Sequence, residues 1–234
     1  MKTRQNEPFT ADPSTGEIVI SGIIGAMIPG GIDVDAALPR ISAMKGSADV
    51  VKLVINSPGG DANDGIALYH ALRELDMPIE AHIIGKAWSA ATLPLMAAAV
   101  RRINKGANVM IHEPRSRSAG SETHTEAMSR AKATETLASD MADIYAAHTA
   151  MDRDQALEAM RVTTWMGSRQ AIDKGFATEE MGSPAIAAYC DPAYLATIDV
   201  PDEYAAMVKW ESEVKGTPNL DYSRVSLKLA RARA

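Results

Sequence analysis

The chain has 234 residues, 46% of them hydrophobic and 23% charged, with a formal charge of −6. That is enough apolar material for one large domain, or one domain with a tail, and the acidic balance argues against nucleic acid as the main partner. The single cysteine, Cys190, excludes an intrachain disulfide and a cysteine-based metal centre, and it fits a reducing cytoplasm.

Met1 to Gly16 is polar, contains Pro8 and Pro13, and reads as a flexible arm. Its first seven residues lack the apolar core of a signal peptide, and no apolar run in the chain reaches the ~18 residues that cross a bilayer. The expectation is a cytoplasmic protein with no membrane partner. Glu17 to Ala26 alternates weakly and reads as the first strand. Ile32 to Met44 has helical spacing, with Pro39 expected to kink or divide it. Lys52 to Ile55 is a β-branched run stopped by Asn56-Ser57-Pro58-Gly59-Gly60, a buried strand ending in a sharp turn. Asp64 to Leu75 then spaces its apolar residues as a helix, with Asp64 or Asp61 as its cap. A glycine turn before a helix exposes backbone N–H groups that hold an anion, either a bound phosphate or an oxyanion formed during a reaction.

Ile79 to Ile84 reads as the next strand. Gly85 to Thr92 follows as a small-residue turn containing Ser89, then an apolar helix from Leu93 to Val100. Val109 to Ile111 is a third strand that runs into His112-Glu113-Pro114. Successive strand ends thus supply a glycine N–H pair, a serine and a histidine, and in an α/β fold strand ends converge on one crevice. Those are the parts of an acyl-transfer site: oxyanion donors, nucleophile and general base. Lys86 invites a Ser-Lys dyad, but as a turn lysine it is expected to face solvent.

Arg115 to Glu122 is polar and rich in breakers, a loop. From Thr123 or Thr125 to His148 an alanine-rich helix carries Met128, Ala131, Leu137, Met141, Ile144 and Tyr145 on one face. Asp152, with Gln155 three residues on, has the form of a capping box. The strands and helices up to this point repeat a β-α pattern, which implies right-handed crossovers and a largely parallel sheet. After Gly182 prolines punctuate the chain. Residues 215–234 hold five basic residues and one acid, so this tail is +4 and residues 1–214 carry −10. The organisation read here is an arm over 1–16, a domain over 17–182 and an extension over 183–234 with a basic docking tail.

Ile55-Asn56-Ser57-Pro58-Gly59-Gly60, Gly85-x-Ala87-x-Ser89-Ala90 and Met110-Ile111-His112-x-Pro114 resemble the three signature blocks of the ClpP-type serine peptidases, nearest to their phage prohead-protease branch. The resemblance runs from about Gly16 to Met181. It implies a ClpP/crotonase-like α/β fold of repeated β-α units with a protruding handle helix, here the one ending at His148. It also implies a ring-like homo-oligomer acting on polypeptide substrates, possible capsid or scaffold proteins among them, with no cofactor and no metal. By resemblance Ser89 is the nucleophile, His112 the base, and Gly60 and Ala90 the oxyanion-hole donors. The family's triad acid falls at Thr163, and the phage branch's acid at Arg161, so no carboxylate stands where one is expected. A hydroxyl at Thr163 would accept the imidazole N–H but carry no charge. Asp140, Asp143, Asp152 and Asp154 are read as helix-surface or capping residues. The competing readings are a scaffold that has kept the fold without turnover, and a crotonase-like thioester enzyme, which would need neither Ser89 nor His112. No ATPase motif is present, so any ATP dependence would come from another protein.

Overall fold

The computed structural model describes residues 7–182, apart from Ile28 and residues 117–119. The extension from 183, its basic tail and Cys190 lie outside the described residues. An antiparallel hairpin of β1 (Phe9–Asp12) and β2 (Glu17–Ile20) starts the chain. It corrects part of the flexible-arm reading. Phe9 is buried, Asp12 accepts from the Ser14 N–H through its side chain, and Gly16 takes φ +69° to close the turn. The polar residues of this tight turn hid the strand. β2 also stops six residues short of Ala26, the expected end of the first strand.

Three β-α-β crossovers follow. β2 pairs in parallel with β3 (Val51–Ser57) by way of α1 (Val34–Ser42). β3 pairs with β4 (Ile79–Trp88) by way of α2 (Ala62–Arg73), and β4 with β5 (Val100–Asn104) by way of the short α3 (Thr92–Leu95). Asp33 caps α1, and Pro39 does not divide it: the proline sits exposed inside a helix that runs from Val34 to Ser42. Asp61 caps α2, its carboxylate accepting from the N–H groups of Asn63 and Asp64.

The helix expected from Leu93 to Val100 ends at Leu95, a turn follows, and β5 begins at Val100. Its Arg101-Arg102 pair obscured the strand pattern. Arg101 is buried and donates to the carbonyls of Ala98, His148 and Gly175, while Arg102 bridges Glu80 on β4 and Glu179 on β8 (Glu179–Met181). β8 pairs in parallel with β5, an edge strand that its acidic residues gave no reason to expect. The largely parallel sheet is borne out, with β1–β2 and β6–β7 as the antiparallel pairs among the described strands.

β4 is long because it serves two neighbours. Its first half, Glu80 to Ile83, pairs with β5, and its last three residues, Lys86 to Trp88, pair with β6 (Asn108–Ile111). β6 in turn pairs antiparallel with β7 (Thr164–Gly167). Against β3 the register slips: Ile55 faces Ile83, but Ser57 faces Ala87. That bulge draws the β3 turn alongside the end of β4. α4 (His124–His148) is capped by Thr123 in a reciprocal box with Glu126. Its buried residues are Ala138, Met141, Ala142 and Tyr145, so its first half stands out from the body, as the handle reading expects. α5 (Arg153–Arg161) begins with the expected Asp152–Gln155 box, and α6 (Ser168–Asp173) follows β7.

Candidate active site

The ends of β3, β4 and β6 meet. Ser57, fully buried, donates from Oγ to the Gly22 carbonyl at 2.6 Å and accepts from the Gly59 N–H at 3.1 Å, which sets the path of the glycine turn. Gly59 has φ +88°. A Cβ there would lie 2.4 Å from the Trp88 carbonyl oxygen and 2.9 Å from both Ala90 N and Ser89 Cβ. Only glycine allows β3 to come this close to the serine.

Gly60, at φ +150°, is held from its other side. Ile24 N–H donates to the Gly59 carbonyl and Asp61 N–H to the Ile24 carbonyl, a parallel bridge. In that pattern the N–H of the central residue, Gly60, points away from Ile24. β4 then turns sharply into a 3₁₀ turn, Ser89–Ala91, with no side chain capping its start. Its first N–H groups, Ala90 among them, have no acceptor within the turn. Ser89 sits at φ +51°, a conformation that costs a non-glycine residue about 1–3 kcal/mol and that clusters at active sites.

Ser89 Oγ lies 2.8 Å from His112 Nε2, and both side chains are buried at 7% exposure. Of the other histidines, His82 bonds Asn104 at 2.7 Å and His148 bonds Tyr69 at 2.8 Å, while His70 lies on α2 and His124 opens α4. Burial, with Arg115 adding a repulsive positive charge, pushes the His112 imidazole down to about 4. It is therefore neutral at pH 7 and able to take a proton, but weakly basic.

The third position is where the structure adds most. The β6–β7 register pairs Ile111 with Thr164, so one step further Thr163 stands opposite His112. Glu113 N–H and Thr163 N–H both donate to the Met160 carbonyl, which ties the two segments together. Yet His112 Nδ1 is buried without a hydrogen-bond partner among the described residues, so the expected bond from the imidazole to the Thr163 hydroxyl is not formed. Thr163 is itself at φ +54°, an outlying conformation for a β-branched residue. Asp140, Asp143, Asp152 and Asp154 all face solvent; Asp143 pairs with Arg153 and Asp152 caps α5. Arg161 pairs with Glu158 at the surface.

Lys86 corrects its expectation. It is 2% exposed, on β4 and not in a turn, with Nζ 5.0 Å from the centre of the Trp88 ring. Trp88 stacks edge-on against Trp165 at 5.0 Å and donates from its indole to Asn108. Sequence reasoning also passed over Arg115, whose charge bears on His112 from the loop after β6; its only signal was proximity in the chain.

The model of the Clp protease family matches residues 34–183, more than half of the chain. The ATP-dependent Clp protease proteolytic subunit of Deinococcus radiodurans is 29% identical over 128 residues, 53% of this chain and 61% of that relative. The chain thus matches less than two thirds of the relative's length. Among solved structures, a mutant of ClpP1 from Listeria monocytogenes superposes with a TM-score of 0.61 at 18% identity, covering 73% of this chain and 94% of that one. At that identity the likeness speaks for the fold, and it agrees with the ClpP-like arrangement that the sequence blocks imply. The chain belongs to the Clp protease family.

Proposed function

We propose that this protein is a serine endopeptidase that works through an acyl-enzyme on Ser89. The observation that carries the reading is the 2.8 Å contact of Ser89 Oγ with His112 Nε2, beside a glycine turn and an uncapped 3₁₀ turn. In this reading Ser89 Oγ attacks the scissile carbonyl carbon as its proton passes to His112 Nε2. The N–H groups of Gly60 and Ala90 hold the resulting oxyanion, and His112 gives its proton to the leaving amine. Water then repeats the cycle on the ester and frees Ser89.

The substrate is a polypeptide, and its proposed context is phage head maturation in the host cytoplasm, supported by the likeness of the three blocks to the prohead-protease branch. The protruding first half of α4, with Met128 exposed, supports self-association into a ring-like homo-oligomer. A second reading, a capsid-assembly scaffold with little or no turnover, is favoured by the unpartnered Nδ1 of His112. Labelling with a serine-reactive fluorophosphonate separates the two. The peptidase reading expects an adduct on wild type that is lost in Ser89→Ala. A wild type that never labels, or an adduct that persists in Ser89→Ala, rejects it.

A further inference from the structure

The Ser89 carbonyl accepts a hydrogen bond from Thr92 Oγ1 at 2.6 Å, and the same oxygen of Thr92 lies 2.7 Å from Tyr145 Oη. Thr92 and Tyr145 are both wholly buried. A threonine hydroxyl has one proton, and a carbonyl cannot donate, so the order of donation is fixed. Tyr145 O–H donates to Thr92 Oγ1, and Thr92 O–H donates to Ser89 C=O. Threonine bonding back along its own turn is a common local habit. The tyrosine is not local: it comes from the C-terminal half of α4, 53 positions further on, with its ring packed 5.3 Å from Phe176. Burial also pushes the Tyr145 phenol upward, so it remains a donor across the working pH range.

The bond has a consequence beyond packing. Ser89 C=O and Ala90 N–H belong to one planar trans peptide unit and point in opposite directions. Whatever holds the carbonyl therefore aims the N–H. Ser89 is at φ +51° with no side-chain cap before it; within the turn the Thr92 backbone N–H also donates to its carbonyl, and the two hydroxyls add a hold on the same oxygen that reaches it from α4. On the α2 side the turn has no slack, since a Cβ on Gly65 would come within 2.7 Å of the Ala90 carbonyl.

We infer that Thr92 and Tyr145 are positioning residues that orient the Ser89–Ala90 peptide unit, and through it the Ala90 N–H that receives the oxyanion. The inference rests on the peptidase reading for its role, although not for its geometry. It makes α4, the helix that protrudes from the body, a structural support of the oxyanion hole.

The test is a set of three substitutions. Tyr145→Phe removes one hydroxyl and keeps the ring against Phe176; Thr92→Val removes the side-chain bond to Ser89; Thr92→Ser keeps it. Tyr145→Phe should lower kcat for a fluorogenic peptide about tenfold, the worth of one ordinary hydrogen bond. Thr92→Val should lower it further, and Thr92→Ser should stay near wild type. KM and the acidic limb of the pH profile should not move, because His112 and the substrate-binding surface are untouched. Crystal structures of Tyr145→Phe and Thr92→Val should show the Ser89–Ala90 plane rotated. Equal kcat in all variants with the plane in place overturns the inference. A kcat loss that Thr92→Ser shares with Thr92→Val does the same. If wild type fails to label with fluorophosphonate, the peptidase reading falls by itself, and the peptide-plane orientation in the variants still decides whether Thr92 and Tyr145 hold it.

Discussion

Replacing Thr163 by aspartate is the most informative perturbation of this site. His112 stands near 4 because it is buried and because Arg115 adds a repulsive positive charge. Thr163 is opposite it across the β6–β7 ladder, and Nδ1 has no acceptor. A carboxylate within reach of an imidazole raises its pKa by about 1–3 units, each unit worth about 1.4 kcal/mol of imidazolium stabilisation. That returns His112 towards the neutral range. The backbone does not oppose the change, because φ +54° suits aspartate better than a β-branched residue. Losing the acid of a Ser-His-Asp triad costs on the order of 10⁴-fold in turnover, so a gain of roughly 10²–10⁴-fold is the expected range. The assay is kcat/KM on a fluorogenic peptide from pH 4 to 9. Wild type should be slow, with its acidic limb near 4, and Thr163→Asp faster, with the limb moved up.

Stability should follow the same group. His112 is depressed in the folded state, so the unfolded chain binds the proton more readily. Its contribution is complete above about pH 6.5 and is lost as pH falls to about 4, up to ~3 kcal/mol for a group this buried. Urea midpoints measured across that window should fall less in Thr163→Asp than in wild type. The reasoning is refuted if wild type is already brisk and neither Thr163→Asp nor Thr163→Val changes it much, because another group must then complete the site.

Two further outcomes follow from the fold. Gly60→Ala would press a Cβ to within 1.9 Å of the Ile24 carbonyl oxygen, so the turn must shift. Peptidase activity should be lost with a stability cost of about 2 kcal/mol or more, and retained activity would remove Gly60 from the oxyanion hole. Self-association should appear in light scattering at micromolar protein, in low and moderate salt, as a mass several times the 25.0 kDa chain. Met128→Glu, on the protruding half of α4, should lower that mass; a monomeric wild type rejects the ring.

What the sequence made legible was local or carried by motif. The box at Asp152–Gln155 involves residues three apart, and the three blocks announce Ser89, His112 and the glycine turn together. The meeting of Ser89 with His112 needed only the rule that parallel strand ends converge. β5 stayed hidden because its arginines are satisfied by partners far along the chain, His148 and Gly175 for Arg101 and Glu179 for Arg102. Lys86 misled for a related reason: a lysine in a glycine-flanked stretch reads as exposed, whereas its stem is buried and its ammonium lies over Trp88. The Tyr145–Thr92 link is tertiary, and no spacing rule finds a pair 53 residues apart. The third triad position was legible as an absence, but the sequence could not say that the threonine would leave Nδ1 unpaired.

That unpaired nitrogen acts before any charge develops. To take the Ser89 proton, Nε2 must be bare, which puts the imidazole proton on Nδ1. There it would be a buried donor with no acceptor, at a cost of about 1–3 kcal/mol. The alternative tautomer carries its proton on Nε2 and donates to Ser89 Oγ across the same 2.8 Å, leaving the serine unactivated. Buried donors are orphaned more rarely than acceptors, so the resting site favours this unproductive form. Asparagine and aspartate at position 163 then part company. They share a shape and both tolerate φ +54°, but aspartate only accepts, which forces the proton onto Nδ1. An amide can equally donate to a bare Nδ1 and hold the wrong tautomer. Thr163→Asn should therefore stay within about threefold of wild type, with its acidic limb still near 4, while Thr163→Asp gains its orders of magnitude. Peptide turnover across pH reads both. If asparagine gains as much as aspartate, charge does not limit His112, and the benefit comes from the tautomer that an accepting Oδ1 holds or from relief of the strained backbone.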